Sequence, residues 1–122
     1  MAEEHNVFGE PLAVCSEDPQ TGYLRDGCCR HLSDDAGRHE LCAVVTEEFL
    51  GFSKQRGNDL VTPRPALEFP GLDPGDRWCL CVDRWLEAGA EGVAPPVVLE
   101  ATNEAVLDRV RRSTLDAHAY EE

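Results

Sequence analysis

Cysteine carries most of the chemistry available to this chain. Six cysteines and four histidines are spread over 122 residues. Zinc and other thiophilic metals need three or four convergent Cys or His ligands, and a reactive thiolate must sit where loss of its proton is favoured. The pieces present are adjacent Cys28 and Cys29 with His31 two positions on, His39 three positions before Cys42, and the pair Cys79 and Cys81. His39 and Cys42 have the two-residue gap of a ligand pair. A zinc-type site would therefore draw on Cys28, Cys29, His39, Cys42, Cys79 and Cys81.

Local structure decides whether Cys79 and Cys81 can cooperate. On a strand they share a face, with Trp78, Leu80 and Val82 on the other, whereas on a helix a spacing of two turns them about 200° apart. The strand reading puts the pair just before a helix N-terminus, where the dipole favours a thiolate. Three readings are open: a thiol-rich metal-binding protein, a redox enzyme or thiol sensor in which Cys79 or Cys81 is activated and another cysteine resolves it, and an interaction module whose cysteines are small packing residues. A disulfide between neighbours Cys28 and Cys29 would be strained, so these two are expected reduced or paired elsewhere. Cys15 to Cys28 and Cys29 to Cys42 each span thirteen positions, which allows two loop-closing bonds in an oxidised chain. Reduced thiols are the expectation for a cytosolic protein. His5 falls in a terminal tail, His31 and His39 flank Asp34 and Asp35, and His118 follows the last helical turn. With carboxylates so abundant, no acid and base pair stands out, and most are expected on the solvated surface.

The elements that must position these groups read as one α+β domain over residues 1–122, with a few short strands, about three helices and a loop-rich N-terminal third; residues 1–6 are expected to be a mobile tail. Residues 10–40 are rich in Gly, Pro, Asp and Cys, with short strands expected at Leu12 to Val14 and Tyr23 to Leu24. Leu41 to Val45 reads as a strand. Thr46 is an N-cap followed by Glu47 and Glu48, and Lys54, Arg56 and Gly57 sign the end of that helix. Val45 and Leu50 are spaced as a hydrophobic staple, with Phe49 and Phe52 on an apolar face. Asn58 to Asp76 is a proline-stiffened loop suited to forming a binding surface. A strand over Arg77 to Val82 should feed a helix over Asp83 to Ala90 that buries Trp85, Leu86 and Ala88 or Gly89. A strand at Val97 to Glu100 should precede a helix over Asn103 to Arg112, capped by Thr102 and burying Val106, Leu107 and Val110. A final helical turn is expected around Leu115 to Ala119.

Charge narrows the partners. Asp and Glu number 24 against 11 Lys and Arg, a formal net charge of −13, and Lys54 is the only lysine. Such a surface repels phosphate backbones and anionic lipid headgroups, which excludes nucleic acid and membranes as expected partners. Acidic excess with almost no lysine also fits a halophilic, salt-rich cytosol, where self-repulsion is screened. The amino terminus has no basic and apolar signal pattern and no apolar run approaches the ~20 residues of a spanning helix, so a cytoplasmic location is the expectation. Nucleophile-elbow, phosphate-loop, H-E-x-x-H and calcium-loop patterns are missing, which removes support from the corresponding enzyme classes.

Gly57-Asn58-Asp59-Leu60, Thr62-Pro63-Arg64-Pro65, Phe69-Pro70-Gly71-Leu72 and Pro74-Gly75-Asp76-Arg77-Trp78-Cys79-Leu80-Cys81 together resemble the signature of a bacterial family of uncharacterised proteins, domain of unknown function 2237. Gly9-Glu10-Pro11-Leu12, Arg25-Asp26-Gly27-Cys28-Cys29 and Ala94-Pro95-Pro96-Val97-Val98-Leu99-Glu100-Ala101-Thr102 resemble it too, so the likeness spans nearly the whole chain. The resemblance implies no activity, substrate or cofactor. It also implies that a histidine often follows the Ala-Thr pair, where this chain has Asn103.

Overall fold

Strand β1, Leu41–Val44, is apolar at every position, and all four of its side chains are buried. A strand buried on both faces needs cover on both. Antiparallel to it runs β2, Arg77–Leu80, with Leu41 opposite Leu80, Cys42 opposite Cys79, Ala43 opposite Trp78 and Val44 opposite Arg77. Side chains alternate across a sheet. Leu41, Ala43, Trp78 and Leu80 accordingly enter one apolar cluster, while Cys42, Val44 and Cys79 enter a second. The structure, a computed structural model, describes residues 4–17, 21–22, 26–36, 38–67, 69 and 71–120. Among these, the two strands form the sheet and three α-helices accompany it, a small α+β fold.

Helices cover the first face. Helix α1, Glu47–Gln55, starts where Thr46 Oγ1 accepts the Phe49 N–H at 3.1 Å, with Glu47 and Glu48 at its positive end and Lys54 at its negative one. Phe49 and Leu50 are buried, and Val45 joins Leu50 in the core. Helix α2, Val82–Ala90, buries Val82, Trp85 and Ala88. The Trp85 indole N–H donates to Pro95 O at 3.1 Å, so its ring lies in the core with its one polar atom satisfied. Helix α3, Arg112–Ala117, adds Leu115. No helix among the described residues is long and apolar enough to cross a membrane.

The second face is covered by loops, and here the expected elements differ most. Leu12 to Val14 is extended without forming a strand: Leu12 N–H donates to Glu4 O and Ala13 N–H to Glu100 O. Tyr23 and Leu24 lie outside the described residues. The strand expected over Val97 to Glu100 shrinks to bridges from Val97 to Ala43 and Ala119, because the chain turns into a 3-10 helix, Leu99–Ala101. Thr102 is not an N-cap; it ends the 3-10 helix Leu99–Ala101. Its hydroxyl accepts the Cys42 N–H at 3.1 Å and donates to Val98 O at 2.9 Å, so Asn103 caps instead, accepting from Ala105 N–H. The element that Asn103 caps is a 3-10 helix, Glu104–Asp108, separated from α3, so Val106 and Val110 are buried while Leu107 is exposed. Residues 4–6 are built into this side as well: Asn6 is buried, bridges Asn103 and donates through Nδ2 to Glu100 O.

Two buried threonines fasten the loops to the sheet. Thr102 takes the Cys42 N–H, and Thr21 Oγ1 takes the Cys79 N–H at 2.8 Å. After Thr21 the chain turns at Gly22, whose φ of 98° and whose close approach to the Cys28 carbonyl leave no room for a Cβ without displacement. Replacing a buried acceptor leaves the partner N–H unpaired, at a cost of about 1–3 kcal/mol. Thr21→Val is therefore expected to lower unfolding free energy by about that amount in urea titration, with Cys79 remaining paired.

Candidate functional site

Both cysteines facing the second cluster are disulfide-bonded, and not to each other. Cys42 joins Cys15, with an S–S distance of 2.02 Å, and Cys79 joins Cys29, at 2.03 Å. The N–H groups of Cys42 and Cys79 point outward to Thr102 and Thr21, which makes them a non-hydrogen-bonded cross-strand pair, the kind whose side chains lie closer. Two disulfides are thereby packed side by side. The sulfurs of Cys15, Cys29 and Cys79 lie within 4.8 Å of one another, although Cys15 belongs to the other bond. All four cysteines are at most 3% exposed.

This arrangement corrects the expectation of reduced thiols and the equal-span pairing of Cys15 with Cys28 and Cys29 with Cys42. Consecutive side chains in extended backbone point to opposite sides. Of the vicinal pair only Cys29 can face the sheet; Cys28 faces outward, half-buried and free. Cys15, absent from the ligand set drawn from spacing, is a full member of the cluster. Of that set, Cys29, Cys42 and Cys79 are brought together, while Cys28, Cys81 and His39 lie outside the sulfur cluster.

Cys81 and His39 meet elsewhere. Cys81 is free and half-buried; the strand expected to run to Val82 ends at Leu80, so Cys81 is the N-cap of α2, and its side chain makes no cap hydrogen bond. With His39, Cys79, Trp78, Asn58 and Arg84 it lines a pocket of about 200 Å³. The Val82 N–H donates to Arg38 O at 3.2 Å and so ties the start of α2 to the residue before His39. His39 Nδ1 lies 2.8 Å from Asp35 Oδ1, and the other oxygen of that buried carboxylate accepts the His39 backbone N–H at 2.7 Å. A second cavity, about 350 Å³, adjoins through His39, Asn58, Leu60 and Trp78 and is bounded by Asp59, Arg64 and Phe69 of the proline-stiffened loop.

A second carboxylate and histidine pair faces another cavity, about 450 Å³, lined by Glu4, His5, His31 and Asn103 among others. His31 Nδ1 is 2.5 Å from Glu40 Oε2, and Arg38 Nε donates to Glu40 Oε1 at 3.0 Å, so a fully buried carboxylate is matched by a guanidinium on one oxygen and an imidazole on the other. Asn103, where the family resemblance implies a histidine, spends its amide on Glu4 and Cys29 O. Asp35 and Glu40 are, among the described residues, the buried exceptions to the expectation that most carboxylates here lie on the solvated surface. Glu40 stands between His39 and the apolar run of β1, and that position was the available signal. His118 packs edge-on against Trp85 at 5.2 Å, inside the helical face and away from the sulfurs.

With this geometry in hand, comparison with known families is decisive for classification. The model of an uncharacterised protein family conserved in bacteria, DUF2237, matches residues 5–119. The chain belongs to that family. No curated protein matches it. The sulfur cluster and the two histidine pairs of this DUF2237 chain all fall inside the matched span.

The two free thiols differ in setting. Burial pushes the Cys28 thiol above its ordinary value, and the Asp26, Glu4 and Glu17 carboxylates add to the shift against the opposing Arg30. A raised thiol pKa leaves less thiolate at any pH below it. Cys28 is therefore expected to react with iodoacetamide more slowly than an unstructured cysteine at about pH 8 and to gain rate as pH rises past about 9. Peptide mapping without reductant should find it alkylated alongside Cys81, with Cys15–Cys42 and Cys29–Cys79 intact.

Proposed function

We propose that this protein is a thiol–disulfide switch whose oxidised form holds the N-terminal loops on the sheet and whose reduced form releases them. The observation that carries the reading is the placement of free thiols around one bond. Cys81, free and half-buried, stands two positions beyond Cys79, and Cys28, free but facing outward, adjoins Cys29, so Cys29–Cys79 has a free thiol beside it on each chain segment. A bond meant only as a staple needs no such neighbours. In a reducing cytoplasm, the location expected from the sequence, a disulfide is more often transient and redox-sensing than structural. Loop closure over 27 and 50 residues favours the oxidised fold by roughly 3–4 kcal/mol per bond in the chain-entropy picture. The acidic surface leaves nucleic acid and anionic membranes as poor partners, so the signal read is redox state rather than a polyanion.

A second reading is favoured by the sulfur spacing. Four thiolates bound tetrahedrally to zinc at about 2.3 Å lie about 3.8 Å apart. The sulfurs of Cys15, Cys29 and Cys79 are already within 4.8 Å of one another, and Cys42 stands opposite Cys79. Reduction would free all four, so the reduced switch offers a tetrathiolate zinc site assembled from Cys15, Cys29, Cys42 and Cys79. Cys28, His39 and Cys81, also ligand candidates by spacing, would be outside it.

Equilibration in glutathione buffers spanning about −320 to −180 mV, followed by alkylation and mass counting, tests the switch. The reading predicts a reversible change from two free thiols toward six within that range. Two thiols throughout would make the disulfides permanent staples. Elemental analysis of the dialysed reduced chain should find near-stoichiometric zinc, and the oxidised chain none; equal zinc in both would remove the cluster as the site.

A further inference from the structure

The proline-stiffened loop after α1 takes no part in the switch, yet it is pinned at both ends and in the middle. At its start the Asn58 N–H donates to Ser53 O at 2.9 Å, and the hydroxyl of buried Ser53 donates to Asn58 O at 2.7 Å. Near its end the Leu72 N–H donates to Leu60 O at 2.8 Å. Between these, Arg64 and Phe69 exchange backbone hydrogen bonds at 2.7 and 3.1 Å, and the buried Phe69 ring meets Trp78 edge-on at 5.2 Å. Gly71, at a φ of 81°, comes so close to Val61 O that a Cβ would not fit. The loop thus holds a fixed rim over the adjoining cavities of about 350 and 200 Å³, which meet at Asn58, Leu60 and Trp78.

Cations are scarce in this chain, and most are already used. Arg30, Arg38, Arg56, Arg109 and Arg112 each pair with a carboxylate. Arg64, which lines the larger cavity, makes no side-chain hydrogen bond or ion pair among the described residues. The carboxylate that lines the same cavity, Asp59, serves the turn instead: its Oδ1 accepts the Val61 and Thr62 N–H groups at 2.9 and 3.1 Å. Arg84, in the lining of the smaller cavity, is anchored through Nη1 alone, to Arg56 O at 3.2 Å and Glu87 Oε1 at 3.3 Å. Its Nε and Nη2 edge is left for a ligand, and that edge matches the two oxygens of a carboxylate. Asn58 lines both cavities, and its side-chain amide has no partner among the described residues. Leu60, Phe69 and Trp78 supply apolar wall. Convergent polar groups set in an apolar cleft are the usual make-up of a small-molecule site.

We propose that this cleft binds a small organic carboxylate, its charged end taken by Arg64 and Arg84 with Asn58 between them, and its apolar body laid against Leu60, Phe69 and Trp78. Two guanidinium groups without a full set of protein acceptors call for an anion, and the apolar wall calls for more than an inorganic one. A carboxylate suits the site better than a phosphate monoester, because a chain of net charge −13 repels a dianion about twice as strongly as a monoanion. The fixed rim means that little ordering remains to be done when the ligand arrives. The site is independent of the switch reading, since it asks nothing of either free thiol and is formed in the disulfide-bonded chain.

Titration of the oxidised full chain with benzoate, phenylacetate and hexanoate, followed by NMR of the backbone amides, tests the site. At least one of these acids is expected to give saturable shifts at Asn58, Leu60 and Trp78 with a Kd of about 1 mM or below. The matching uncharged amide should bind about tenfold more weakly or worse. Arg64→Gln and Arg84→Gln should each weaken the acid about threefold or more. Arg111→Gln, at an exposed arginine outside the cleft that also lacks an ion pair among the described residues, should leave the Kd within about 1.5-fold. Amide positions unchanged away from each substitution separate loss of binding from loss of fold. No saturable shift with any of the three acids, equal binding of acid and amide, or equal weakening by Arg111→Gln would overturn the site. Tighter binding of phenyl phosphate than of benzoate would overturn the carboxylate assignment.

Discussion

The alignment of Cys42 with Cys79 across a two-strand sheet governs the rest of this structure. The register fixes which side chains face the helices and which face the loops, because a shift of one residue would exchange the two faces. With Leu41 and Leu80 on the helical side, both cysteines must face the loops. There each bonds a cysteine from the N-terminal third, and each has its outward N–H taken by a threonine from a loop. One covalent bond and one buried hydrogen bond per strand thus substitute for the third layer of secondary structure that the sheet lacks on this side.

That substitution explains how so irregular a region can be ordered. Loops with little secondary structure bury little apolar area of their own, and ordering each residue costs roughly 1–2 kcal/mol of backbone entropy. Among the described residues of 4–36, the disulfides are joined by buried ties from Asn6 and Thr21 and by Glu4, which accepts from Arg30, the His31 N–H and Asn103. The helical side behaves differently. Phe49, Trp85, Val106 and Leu115 are all at most 1% exposed and form a core that owes nothing to cysteine. The protein therefore combines a self-sufficient half with a conditional one, which is the physical basis for reading it as a switch.

Legibility of the sequence divides along the same line. Helix α1 was legible because Thr46, Glu47, Glu48 and Lys54 are local signals that act within one turn. Strand β1 and the order of β2 before α2 were legible from apolar runs, though β2 ends at Leu80 rather than Val82. Residues 97–112 were misread because Thr102 looks like a cap from its neighbours alone, whereas its hydroxyl is taken by Cys42, sixty positions away. Cys29, Cys42 and Cys79 were among the residues expected to converge, but Cys15 was not, because the pairing joins residues 27 and 50 positions apart and nothing local marks Cys15 as the partner of Cys42. The buried carboxylates Asp35 and Glu40 were hidden by the number of acidic residues around them.

Amide hydrogen exchange on the oxidised and fully reduced chain tests most directly whether sulfur bonding orders the loops. The account predicts that reduction without metal removes protection from residues 12–17 and 26–36, while Val44, Val45, Leu50 and Trp85 keep most of theirs. Unchanged protection of the loops after both bonds are opened would contradict it, since the N-terminal third would then be held by packing alone.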